Sequence, residues 1–151
     1  MGEAEQLKPP KWLKPMNKVF IQVLRLGVRI RGDSPVVLTV VGRKSGTPRS
    51  TPVTPMHVDG KRYVVGGFPG ADWVRNVRAA GEVTISRGRK HERVRAVELP
   101  AEQARPLLRA FPIQVPAGVG FVKRSGLVSG PNPDEFAALA GVCPVFRLDP
   151  L

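Results

Sequence analysis

The sequence predicts a mainly β (α+β) fold: a closed or partly closed antiparallel barrel with helices packed outside it. Three observations predict this. Apolar residues recur at period two in several short runs, starting with Val36–Val41. Pairs of these runs are separated by two- or three-residue turns, Asp59-Gly60 and Arg87-Gly88-Arg89, which is the signature of hairpins. Sixteen glycines and sixteen prolines are spread over the 151 residues without a repeat, enough to end many short strands. That length suits one domain able to bury a real core.

The elements follow in order. Val19, Phe20, Val23, Leu24, Gly27 and Ile30 recur at helical spacing after Pro15, with Lys18, Gln22, Arg25 and Arg29 on the other side. This basic amphipathic helix either packs on the domain edge or, with Trp12 and neighbouring lysines as anchors, lies on anionic lipid through residues 11–31. "PVVLTVV" reads as a buried strand and Thr51–Val58 as a second, turned by Asp59-Gly60 into a third, "KRYVVGGF". "ADWVRNVRAAG" is a short helix, with Asp72 placed to cap it and Gly81 to end it. Val83 to Leu99 forms another hairpin. "PAEQARPLLRAF" starts as a helix that Pro106 should kink or end, and residues 112–132 read as a long irregular loop. Asn132-Pro133 opens a final short helix, and "CPVFRL" is the closing strand. We divide the chain into an N-terminal segment, 1–34, and a barrel domain, 35–151.

Charge is the extreme feature. Twenty-four lysines and arginines against twelve acidic residues give a formal net charge of +12, a field that attracts phosphate, anionic lipid or nucleic acid without choosing among them. The one cysteine, Cys143, sits in apolar "GVCPVF" and reads as a buried structural thiol in a reducing compartment. No secretory signal pattern opens the chain, and its apolar stretches fall short of the ~20 residues that span a bilayer. A cytoplasmic location is expected, membrane-associated if the N-terminal helix meets lipid.

Catalytic constellations are absent from the sequence. His57 and His91 lack the clustered partners of a metal site, and no nucleophile elbow or Walker loop occurs, so no metal is expected and no catalytic residue stands out. If the protein is an enzyme, a cofactor carries the hard step.

Two stretches remain. In "VVGRKSGTPRSTP", Arg43, Lys44 and Arg49 supply positive charge, Ser45 and Thr47 hydroxyls, and the glycines an open backbone. It is either a solvated basic turn or an anion-binding nest. In "GGFPGADW", Gly66 and Gly67 end a strand without side chains, and Asp72 opens a helix. It is either a plain strand-to-helix turn or a place where a flat ring meets the backbone.

Taken together, "LTVVGRKSGTPRSTPV", "DGKRYVVGGFPGADWVRNVRAAGEVTIS" and the terminal "VCPVFRL" resemble the deazaflavin-dependent nitroreductase family, small split β-barrels of FMN-binding-like architecture that use coenzyme F420. The resemblance implies that Arg43, Lys44, Ser45 and Arg49 bind the phosphate-bearing tail. It places Val65, Gly66, Gly67, Phe68, Pro69, Gly70 and Ala71 along the deazaflavin and its chain, and adds Trp73, Arg75 and Asn76 from the small helix. Two features depart from the pattern: Phe68-Pro69 stands where family members often carry a polar stretch, and the substrate-facing tyrosines such nitroreductases carry near the C-terminus are missing, Tyr63 in an early strand being the one tyrosine, which speaks against nitroimidazole reduction. The implied activity is hydride transfer from C5 of the reduced deazaflavin to an electron-poor acceptor, a quinone, enone or nitro compound, with a homodimer as a further allowance. FMN, FAD or haem in the same barrel is the alternative cofactor. A nucleic-acid-binding module is a third reading, which the 6% aromatic content disfavours.

Overall fold

The computed structural model describes residues 35–151. The segment 1–34, with its helix and the lipid contact read for residues 11–31, lies outside the described residues.

Seven strands form one antiparallel sheet. In chain order they are β1 (Val36–Val41), β2 (Pro48–Val53), β3 (Met56–Val58), β4 (Lys61–Val65), β5 (Glu82–Arg87), β6 (Lys90–Glu98) and β7 (Val145–Pro150). Helix α1 (Asp72–Ala80) lies between β4 and β5; α2 (Ala101–Gln114), α3 (Pro116–Arg124) and α4 (Pro133–Ala137) lie between β6 and β7.

The strand order is β2-β1-β5-β6-β7-β4-β3, so β2 and β3 are the two edges. Yet the chain passes from Val53, the end of β2, to Met56, the start of β3. Three residue steps reach at most roughly 11 Å. The two edges must therefore lie close together, and the sheet curls into a partly closed barrel. Thr51–Val58 is thus not one strand, as its pattern suggested. Pro55 has no N–H for a ladder, and the chain changes edges there.

Alternation sorts side chains into two cores. Val36, Leu38 and Val40 of β1, Val83 and Ile85 of β5, Val94 of β6, Phe146 and Leu148 of β7 and Val64 of β4 fill the barrel interior together with Val74 and Val77 of α1. Tyr63, Val65 and Val145 point the other way, where α2, α3 and α4 cover them with Leu107, Leu108, Phe111, Val119, Val122 and Phe136. Phe111 and Phe136 stack at 5.5 Å between ring centroids.

The local turn chemistry holds where it was read. Asp59 and Gly60 both take positive φ, 51° and 76°, the primed turn that suits a two-residue hairpin. Gly81 adopts φ 73° and returns its N–H to the Val77 carbonyl, ending α1. Asn132 accepts the Asp134 N–H at 2.9 Å and caps α4.

Residues 112–132 are the main correction. α2 continues through both Pro106 and Pro112 to Gln114, and α3 follows at once with Pro116 in its first turn. Each interior proline deletes one helical hydrogen bond, but Ala104, Leu107, Leu108 and Phe111 form a continuous buried face that outweighs the loss. Gly118 lets α3 press onto α2: a Cβ there would stand 2.7 Å from Cζ of Phe111. The irregular stretch shrinks to residues 125–132.

Candidate functional site

The β1–β2 hairpin closes with Val41 opposite Pro48. Between them the turn is bonded mostly to itself. Gly42 N–H donates to Thr47 O at 2.8 Å, Gly46 N–H to Gly42 O at 2.8 Å, and Thr47 N–H to Ser45 Oγ at 3.2 Å. Gly46 supplies the required φ of 70°. With those amides spent, the turn keeps only the adjacent Lys44 and Ser45 N–H groups without a partner among the described residues. It offers side chains: Lys44, Ser45 and Arg49 are exposed. Among the described residues neither Lys44 nor Arg49 has a carboxylate partner.

Arg43 behaves differently. Its backbone N–H and its Nη1 both donate to Oδ1 of Asn76, at 3.1 and 2.8 Å, and Nη2 reaches Oδ1 of Asp72 at 3.5 Å. The arginine ties the turn to α1. Asn76 is only 4% exposed, so its amide oxygen would go unsatisfied inside the fold without this contact. Asp72 does not cap α1: Ala71 occupies the cap position with no side-chain bond, and the Asp72 carboxylate faces Arg43 instead.

The segment leading into α1 runs directly from the glycine-rich end of β4. Gly66 N–H donates to Pro144 O at 2.9 Å, and Ala71 N–H to Phe68 O at 2.9 Å. A Cβ on Gly66 would meet Pro144 Cγ and Val74 Cγ2, each at 2.9 Å, so this glycine is required by the protein's own packing. Gly67 lies under Val122 of α3, 3.3 Å from where its Cβ would be. Pro69, Gly70 and Ala71 are buried, whereas Val65, Gly67 and Phe68 are half-exposed. Trp73 leans on Phe146, 6.3 Å between centroids and tilted by 53°, which commits much of its ring to the barrel core. Arg75 is half-buried on α1, with no carboxylate partner among the described residues.

The structure therefore brings the two sequence stretches together at one end of the barrel, joined by Arg43. Within residues 40–52 and 66–76 there are four cations, Arg43, Lys44, Arg49 and Arg75, and one carboxylate, Asp72, already paired. That donor set suits a phosphate-bearing cofactor. Sequence reading missed Asp72 as a partner of the turn, and Val122 and Pro144 as neighbours of the glycines; each depends on residues remote in the chain, and no local signal marks them.

Other chemistry is absent from this region. Burial pushes the Cys143 thiol up to about 12, far from a reactive thiolate. Ser86 Oγ and His91 Nδ1 lie 2.7 Å apart as a cross-strand pair, while the adjacent Glu92 is held by Arg62 at 2.8 and 3.0 Å. Among the described residues no group of acidic, histidine or cysteine side chains could hold a metal ion, and no helix is long and apolar enough to cross a membrane.

A curled antiparallel sheet with a cationic hairpin turn beside a glycine-rich strand end is the architecture of a split β-barrel. Over residues 17–124 the sequence matches the F420H(2)-dependent quinone reductase family, and the chain belongs to that family. It is an oxidoreductase dependent on coenzyme F420. Solved structures agree in fold. One described as a domain-swapped dimer is 23% identical, with 91% of this chain and 97% of that one covered and a TM-score of 0.55. An F420-H2 dependent reductase, FDR-A, is also 23% identical, with coverage of 82% and 100% and a TM-score of 0.54. General stress protein 26 of Bacillus anthracis is 15% identical, with coverage of 91% and 88% and a TM-score of 0.50. No curated protein matches the sequence.

Proposed function

We propose that the protein reduces a quinone, or an acceptor of similar electron demand, with reduced coenzyme F420 bound against the β1–β2 turn and the end of β4. The single observation that carries the site is the Arg43 clasp, which sets Lys44, Ser45 and Arg49 beside the helix that continues the Val65–Ala71 segment.

In this reading Lys44 and Arg49 hold the anionic part of the cofactor, and the Ser45 hydroxyl, which accepts from Thr47 N–H, has its own proton free to donate to a phosphate oxygen. Val65, Gly67 and Phe68 supply the half-exposed apolar surface along the deazaflavin. Gly66, Pro69, Gly70 and Ala71 shape that surface from beneath, and Trp73 and Arg75 flank it on α1. When bound, the reduced deazaflavin supplies the hydride, and the protein's share is orientation and exclusion of water. Among the described residues no side chain need act as an obligatory acid or base, because solvent can deliver the proton that completes quinol formation.

We also read the protein as a homodimer, with the similar structure described as a domain-swapped dimer as support; light scattering of purified protein tests it. The test of function is titration with F420 and, separately, FMN, followed by turnover of reduced F420 with menadione. Uptake of F420 with quinone-dependent oxidation is the expected result; binding of FMN alone would overturn it.

A further inference from the structure

We infer that Asn76 is the positioning residue of the cofactor site: it acts through Arg43 rather than by touching the cofactor, and Arg43 is the strut of the turn rather than one of its anion ligands. This rests on the reading of the turn as the anion cradle.

Asn76 is one of two buried polar side chains among the described residues, at 4% exposure on a helix whose neighbours Val74 and Val77 belong to the inner core. An amide in that setting costs stability unless paired. Its Oδ1 accepts twice from one residue, from the Arg43 backbone N–H at 3.1 Å and from Nη1 at 2.8 Å. Two accepted bonds use both lone pairs of that oxygen. They also fix both the path of the turn and the direction of the arginine.

The guanidinium is then committed in part, through two of its five N–H donors. Nη1 faces Asn76, Nη2 faces Asp72 at 3.5 Å, and the Arg43 side chain is 23% exposed. The Asp72 carboxylate offsets its charge. The cations left to face an anion from this turn are Lys44, the next residue, and Arg49, on the returning strand. Turning the Arg43 side chain outward would cost Asn76 the shorter of its two accepted bonds, while the Arg43 backbone N–H still ties the turn to α1, so the turn is held in place before any cofactor arrives. Such preorganisation lowers the cost of binding.

The test compares N76A with N76D, because aspartate keeps the acceptor oxygen, loses the amide donors and adds a negative charge that the Arg43 guanidinium faces. Hydrogen exchange of the cofactor-free protein is read first. N76A should release the Arg43 amide and its turn neighbours to fast exchange, and N76D should keep them protected. Fluorescence titration should then show F420 affinity about tenfold weaker in N76A, as for loss of a hydrogen bond to a charged group, with kcat at saturating cofactor unchanged. N76D should recover most of that loss. Should N76A not fold, R43A reads the same unit from the exposed side. It should weaken affinity while leaving the salt dependence of binding as in the parent, whereas K44A and R49A should each flatten it. Unchanged affinity in N76A, an N76D as weak as N76A, or a flattened salt dependence in R43A overturns the proposal. Unchanged affinity in both K44A and R49A overturns the cradle itself, and exchange at Arg43 still reports separately on the clasp.

Discussion

Gly66 and Pro144 meet where the end of β4 passes the start of β7: the Gly66 N–H donates to the Pro144 carbonyl at 2.9 Å, and a Cβ on Gly66 would stand 2.9 Å from Cγ of the same proline. The glycine is a packing requirement at the strand end that leads into the site. Substitution G66A should cost about 1–3 kcal/mol through overpacking against Pro144 and Val74, a fall of roughly 2–4 °C in melting temperature per kcal/mol for a chain of this size. Gly120 in α3 is the control. Nothing lies within 4 Å of its would-be Cβ, so G120A should be neutral or stabilise by up to ~1 kcal/mol. Thermal denaturation followed by circular dichroism checks both, and equal melting temperatures for the two variants would contradict the packing argument.

The free cations of the turn should carry affinity. Charge reversal in K44E or R49E should weaken F420 binding by more than tenfold, since each replaces a charge-assisted hydrogen bond of about 1.5–3 kcal/mol with repulsion. The loss should shrink in 0.5 M salt as the field is screened. Titrations at two ionic strengths measure both effects.

Cys143 should be silent in the folded state. Its thiol is pushed up to about 12 from an ordinary 9.0 by burial, so it stays protonated and covered at neutral pH. Thiol reagents at pH 8 should label it only after denaturation. The sign of the linkage follows: the folded pKa lies above the unfolded one, so this group's contribution is fully present below pH 9 and declines as pH rises from about 9 to 12. Denaturant melts at pH 8 and pH 10.5 should show a drop that C143A lacks.

Two surface carboxylates should shape the acid limb. Hydrogen bonds from Arg147 hold Asp149 below its ordinary range, with added attraction from Lys61 and Arg95, and hydrogen bonds from Arg62 do the same for Glu92. A lowered folded pKa gives stability that is present above the unfolded carboxylate value and lost as pH falls through the folded one. Acid titrations of D149N and E92Q should therefore show a shallower loss of stability below about pH 4 than the parent. An unchanged slope in both would show that these exposed pairs contribute nothing measurable.

How much of this was legible depended on range. Most signals that act within a few residues hold in the structure, namely the period of β1, the Asp59-Gly60 turn, Gly81 at the end of α1 and Asn132 before α4, whereas Asp72, also a local signal, does not cap α1. The barrel itself was inferred from hairpins, though the edge change at Thr54-Pro55 was not, because nothing local says where the next partner strand lies. Residues 112–132 differ from their loop pattern for another reason. Their glycines and prolines have the composition of breakers, but Phe111, Val115, Val119 and Val122 recur at helical spacing, Pro116 is a favourable first-turn residue and Gly118 is a contact. At the site, the cationic turn and the glycine-rich strand end were visible as motifs. That Arg43 belongs to Asn76 and Asp72, and Lys44 and Arg49 do not, required the fold.

The edge strand β2 has one further consequence. Pro48 pairs with Val41 and Pro52 with Val37, and Ser50 lies between them opposite Thr39. Residues at this spacing turn their backbone nitrogens away from β1, toward the open side. Two of those three nitrogens belong to proline and carry no hydrogen. An incoming strand would find a single donor, at Ser50, along the whole edge. A sheet that never closes its ladder is a standing invitation to amyloid-like growth, and here the invitation is withdrawn by imino acids at alternate positions.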